Sequence, residues 1–361
     1  MVGSLLLASV ASLARADDLA TSLYMRTDSD STTVISPRAR VGKRIGESTE
    51  VDATYAADVW TSASIDIRTS ASVRPVTEQR DELDLSFTHE LNSDLSLNGA
   101  YRFSKENDYL SHGLSAGGSY NFANNAATID LGLHAIADSV RRSGDPTFSR
   151  GLGTVDTRLA FTQVLDSVTI LQATYELALL NGYQSSPYRF VGVGGTGYGC
   201  MGAAQCLPEH VPDSRTRHAL ALLVRRAFSD EISLGLNYRY YFDNWSLGSH
   251  TVLASLGWIV AEGSTLALRY RFYTQGEVNF YQARYTTLPS PSIFTTRDRE
   301  LSPLSYHRLG VELDHEFPFD NGATKLTSTV GIGGSFFNYS NFVGLSSITA
   351  LEVTFALVLH K

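Results

Sequence analysis

Between Glu231 and Phe272 the chain alternates apolar and polar positions with period two, three times over. Ile232, Leu234, Leu236, Tyr238, Tyr240 and Phe242 share one face of the first run, and Ser233, Gly235, Asn237, Arg239, Tyr241 and Asp243 share the other. Val252, Ala254, Leu256, Trp258 and Val260 form the apolar row of the second. In the third, Leu266, Leu268, Tyr270 and Phe272 are backed by Arg269, Arg271 and Tyr273. A period of two sends successive side chains to opposite faces of a strand. Each second row is too polar to close a dry core. The pattern therefore predicts antiparallel strands with hydrocarbon on one side and water on the other, as in a transmembrane β-barrel.

From Ala20 onward the same alternation yields about sixteen strand candidates, enough for one closed up-and-down barrel. The links between them alternate in length. Short ones such as 91–94, 165–167 and 228–230 take turns with longer or irregular ones at 58–78, 139–151, 184–214, 275–303 and 338–344. Tight turns at one rim and variable loops at the other are expected of a barrel with periplasmic turns and extracellular loops. Residues 184–214 and 276–303 are the two longest of these extracellular loops. The segment 59–77, with Trp60, Ile65, Ile67 and Val73, is too apolar for a free loop; it either extends strands three and four or folds inward as a partial plug. Strand aromatics crowd the predicted ends, Tyr101 and Phe103 at one rim and Tyr120 and Phe122 at the other, as interfacial girdles require.

The composition, with Gly 29, Tyr 18, Phe 17 and only 10 Pro in 361 residues, favours a single β-rich domain. Mean hydropathy is close to zero, which alternation produces by averaging the two faces. Leu5 to Leu13 form a short apolar run ending in Ala14-Arg15-Ala16, so residues 1–16 read as a secretory signal peptide and 17–361 as the barrel. A buried helix is the alternative for that run. The signal's basic n-region is absent, so the natural start is expected upstream. After Asp17 no apolar run is long enough for a spanning helix. The expected address is the cell outer membrane, with outer-membrane lipid as one partner. A net charge of -8 argues against nucleic acid as another.

With the apolar rows outward, parity assigns the lumen. Arg38, Arg40 and Arg44 on the second strand should face Glu50, Asp52 and Asp58 on the third and Glu82 and Asp84 on the fourth. Arg102, Arg239, Arg269 and Arg271 continue the inward set. Such a ladder neutralises charge within a wall, or sets a charge-selective constriction. The leading expectation is a porin-like channel or transport-associated scaffold, passing small solutes or ions or holding an envelope partner protein. The alternatives are a surface barrel that binds or supports through its loops, and an outer-membrane hydrolase. Haem, Walker and zinc-protease motifs are absent from the sequence, and no cofactor, metal or catalytic residue is assigned. His112, His134 and His218 read as wall or rim residues. His210, with Glu209 and Asp213, has only a generic metal-ligand spacing. Cys200 and Cys206 would most simply form a small disulfide loop in an oxidising compartment, with two free thiols as the alternative.

The run from Tyr55 to Ile67, Y-A-A-D-V-W-T-S-A-S-I-D-I, followed by Ala71-Ser72 and Thr77-Glu78-Gln79-Arg80, resembles an uncharacterised bacterial family of outer-membrane barrels, a domain of unknown function. The resemblance implies a barrel in the outer membrane and supplies no activity. Members resemble one another in sitting beside flavin-transferase and thioredoxin-like proteins, which implies a redox-linked envelope system.

Overall fold

The computed structural model describes residues 17–62, 64, 76–195, 199, 200, 202–319 and 324–361; the expected signal peptide lies outside them. Among the described residues, sixteen strands form one closed antiparallel barrel. They are β1 (Asp18–Asp28), β2 (Thr32–Ile45), β3 (Thr49–Ser62), β4 (Val76–Glu90), β5 (Leu95–Lys105), β6 (Tyr109–Phe122), β7 (Ala127–Arg142), β8 (Asp145–Asp166), β9 (Thr169–Gly182), β12 (Ser214–Ala227), β13 (Ile232–Asp243), β14 (Gly248–Ala261), β15 (Ser264–Gln275), β16 (Leu304–Phe319), β17 (Thr324–Tyr339) and β18 (Ser347–His360). Two short strands, β10 (Phe190–Val193) and β11 (Gln205–Pro208), pair with each other inside the loop between β9 and β12. Each barrel strand pairs with its neighbour in sequence, and β1 closes the ring against β18 with Leu19 opposite Leu359.

The alternation read from the sequence is the alternation observed. Along β13, Ile232, Leu234, Leu236, Tyr238 and Phe242 are exposed while Gly235 and Asp243 are buried. Leu114 and Leu309 are 64% and 60% exposed, and dozens of large apolar side chains like them cover the outside of the wall. A belt of that extent exceeds any apolar patch a water-soluble monomer carries and requires lipid to cover it.

Short turns are closed locally. Asn92 Oδ1 accepts the N–H groups of Asp94 and Leu95 at 2.9 and 3.0 Å. Ser229 Oγ does the same for Glu231 and Ile232 at 3.2 and 3.1 Å. Gly263, at φ +69°, supplies a left-handed position that other residues adopt only at a cost.

The long-loop rim differs from expectation at 139–151. That segment continues the ladder, with Arg141 opposite Ser149 and Arg142 opposite Asp145, so it is a hairpin standing above the wall. Only its tip, at Ser143-Gly144, is a turn. At 59–77 the described ends extend β3 and β4, with Val59 opposite Gln79 and Ser62 opposite Val76; most of what lies between falls outside the described residues.

Candidate functional site

The inward rows bound two cavities that share Arg239. One, of about 640 Å³, is lined by Asp84, Asn98, Arg102, Ser115, His134, Asp156, Arg158, Glu176, Arg217, Arg239 and Tyr241. The other, of about 520 Å³, is lined by Tyr24, Asn237, Arg239, Thr251, Arg269, Arg271, Tyr306, Arg308 and Glu352. Charged and polar side chains of the inward rows dominate both linings, with a few apolar residues such as Leu133, Leu177 and Leu253 among them.

Most of the charges along these rows are cross-strand pairs. Arg40 Nη2 lies 2.6 Å from Asp52 and 3.4 Å from Glu50. Asp58 is bridged to Arg80, a residue parity places inward but the sequence reading passed over. Arg102 Nε sits 3.3 Å from Asp84 and 3.8 Å from Glu82. On the far wall, Arg239 meets Glu176 at 2.8 Å, Arg269 meets Glu312 at 2.9 Å, and Arg308 meets Glu352 at 2.7 Å. Partly solvated pairs of this kind contribute little to stability, so they shape the electrostatics of the space more than they hold the wall together.

Several arginines of the ladder do not pair. Arg44 uses its backbone N–H, which donates to Asp17 at 2.7 Å. Among the described residues Arg38 and Arg271 have no carboxylate partner, and Arg271 lies 5.8 Å from the centre of the Tyr306 ring. Arg217 joins them, with a buried Nε that has no hydrogen-bond partner.

The long loops roof this space. Val211, Trp245, Leu247, Val278 and Tyr281 form a buried apolar cluster, and the inward-facing Tyr241 packs against it. A second cluster joins Val191 and Val193 to Tyr285, and a third joins Tyr339 and Phe342 to Ile348. Among the described residues these buried apolar clusters gather at one mouth of the barrel.

Strand ends anchor the roof from below. Gln275 Nε2 donates to the carbonyls of Glu300 and Ser302 at 2.8 and 2.7 Å. The guanidinium of Arg142 lies over the ring of Phe190. The firmest anchor is Asp243, whose side chain is fully buried. It receives Arg215 Nε at 2.8 Å, the Tyr241 hydroxyl at 2.7 Å, and the N–H groups of Trp245 and Leu247 at 2.9 and 3.0 Å. Arg215 also lies 4.1 Å from the centre of the Trp245 ring.

The loops lock to one another. Glu209, buried, accepts from Ser186 N–H and from the Thr296 hydroxyl. His210 and Thr295 exchange backbone bonds at 3.0 and 2.6 Å. Arg189 reaches Asp298 at 2.5 Å, and Arg299 reaches Asp30 at 3.0 Å across the mouth. The hydroxyl of Tyr188 donates to Asp108, and burial, followed by that bond, pushes the phenol up to about 12. Burial likewise raises Tyr285 to about 12, so its hydroxyl stays a donor to the Thr296 carbonyl at 3.2 Å. Cys200 and Cys206 are disulfide-bonded, closing the tip of the β10–β11 hairpin.

The histidines do not converge. His210 packs on Phe294, 5.0 Å between ring centres. His134 lies 3.7 Å from Asp156 and directly opposite Ser115, but no hydrogen bond joins His134 to Ser115, so the row lacks the contact a nucleophile would need. Among the described residues no group of three or more His, Cys, Asp or Glu could hold a metal.

A closed wall with an apolar belt outside and a charged interior defines an outer-membrane β-barrel. Residues 67–152 and 149–327 match the family described as "Protein of unknown function (DUF3570)", and the chain belongs to it. The motif quoted above lies mostly upstream of that matched region. A search of curated proteins returns no match to the sequence.

Among solved structures, a bacterial polysaccharide outer membrane secretin is similar with a TM-score of 0.56 at 8% identity, covering 96% of this chain and 99% of that one. The outer membrane protein OpdK of Pseudomonas aeruginosa aligns at 0.47 and 9% identity over 94% and 97%. The ferric enterobactin receptor PfeA aligns at 0.47 and 10% identity over 91% of this chain and 55% of that one. At 8% identity the likeness to the secretin shows the fold alone.

Proposed function

We propose that the protein is a transport barrel whose wettable lumen carries small charged solutes, and whose long-loop mouth is held shut by the folded roof. The supporting observation is the bonding of lumen-facing strand ends, above all Asp243 and Gln275, to loops that pack on one another over the opening. The fold likeness to outer-membrane barrels agrees with this reading without selecting a solute. In planar bilayers the intact protein should pass little steady current. A variant with residues 187–208 replaced by a short glycine-serine linker should conduct steadily and several-fold more. A second reading, a binding surface presented by the loops, is favoured by the roof's own apolar cores and disulfide. If the linker variant folds and stays silent, the channel reading fails and the binding surface remains.

A further inference from the structure

Four times around the wall, a tyrosine hydroxyl bonds a histidine on the next strand. Tyr101 meets His112, Tyr175 meets His218, Tyr238 meets His250 and Tyr270 meets His307, all at Nδ1 and between 2.7 and 2.9 Å. Each tyrosine is the seventh residue of its strand, β5, β9, β13 or β15, so the pairs share one height. Each histidine also stands opposite an aromatic ring: Phe103, Phe242, Tyr240 and Phe272, with ring centres 5.4, 4.8, 5.0 and 5.0 Å apart.

All of these side chains lie on the apolar, outward face, towards the long-loop end of the belt. An interfacial tyrosine needs only one partner for its hydroxyl; the histidine across the strand is what the repeat adds. Either atom can be the donor in these bonds; in the tautomer where the phenol donates to Nδ1, the imidazole proton is on Nε2. The flanking ring fixes the plane, and Nε2 has no protein partner among the described residues. His218, His250 and His307 occupy alternate strands β12, β14 and β16, each staggered by two residues from the last, which sets them about 12 Å apart at the usual strand spacing and rise. On β4 the equivalent position, beside Tyr55, holds Asp81, whose carboxylate accepts the Tyr55 hydroxyl at 2.6 Å.

We propose that the arc on β12, β14 and β16 is a docking site for a lipid with an anionic phosphate headgroup, in the leaflet at the long-loop end. Hydrogen-bond complementarity, in a setting without competing negative charge, selects that occupant. In that tautomer the arc aims three Nε2–H donors at headgroup depth, and its outward neighbours on β9 and β12–β17 at that height are tyrosines, phenylalanines, aliphatics and small polar residues, with no carboxylate to compete. The opposite wall, with Asp81 in the same geometry, repels such a headgroup. An apolar girdle alone would need no histidine and would not discriminate headgroups.

The test uses the full chain, delipidated in micelles doped with either dioleoylphosphatidic acid or dioleoylglycerol, with bound lipid read by native mass spectrometry. The protein should retain the phosphatidic acid and not the glycerolipid, and millimolar inorganic phosphate should not displace it. Replacing His218, His250 and His307 together by Phe keeps the ring stack, removes the donors and should lower retention roughly tenfold. Asp81→His should add a lipid beside Tyr55, and it decides the matter alone if the triple variant does not fold. Equal retention of the two lipids, displacement by phosphate, or indifference to both substitutions would overturn the proposal.

Discussion

Asp243 is where wall, turn and roof meet, and its chemistry sets the clearest residue-level expectation. Its carboxylate gathers a guanidinium, a phenol and two backbone N–H groups in a place water does not reach. Removing it strands the buried Arg215 charge, whereas removing Arg215 leaves a carboxylate still held by three donors. Asp243→Ala should therefore cost roughly 3–5 kcal/mol and Arg215→Ala distinctly less, measured as urea midpoints in vesicle refolding; equal costs would show that the charge is not shielded. Parity alone placed Asp243 in the lumen. Arg215 was not legible, because it opens its strand straight out of a long loop and only the fold reveals its partner. The tyrosine–histidine pairs were hidden for a related reason: each residue is visible in the sequence, but the register that joins two strands is not.

At the scale of elements, strands were legible and loops were not. Alternation is local, and β13 to β15 could be drawn from it nearly to the residue. The roof depends on contacts such as Glu209 with Thr296, separated by 87 positions, which no window along the chain contains. The Ser-Gly-Asp-Pro turn at the top of β7 and β8 is a strong breaker and predicts a loop, yet the ladder runs up to it on either side. The disulfide closes a ring within one loop, so its effect should stay there. Replacing Cys200 and Cys206 by Ser should release roughly 2 kcal/mol of restraint. Amide exchange in β10 and β11 should quicken by about tenfold or more, while the wall strands exchange as before; a global drop in protection would mean the loop supports the barrel.

For the whole molecule, the sorting of short turns to one rim and long loops to the other implies a sidedness that labelling can test. The two native cysteines are bonded to each other and silent to thiol reagents. A cysteine placed at Ser290 in the long loop should be modified on intact cells, and one at Asn92 in a short turn only after the outer membrane is opened. The reverse pattern would invert the molecule. This division, grease outside and charge inside, was the most legible property of all, since it repeats in every strand. The seam has a consequence for biogenesis. Asp18 and His360 bond across 342 positions, so the ribbon cannot become a cylinder until its last hairpin has arrived. Until then it presents two unpaired edges and a bare oily flank, a combination prone to aggregation. The cell must therefore keep the nascent sheet apart from its siblings, and the final zip of β18 onto β1 is the step at which maturation is won or lost.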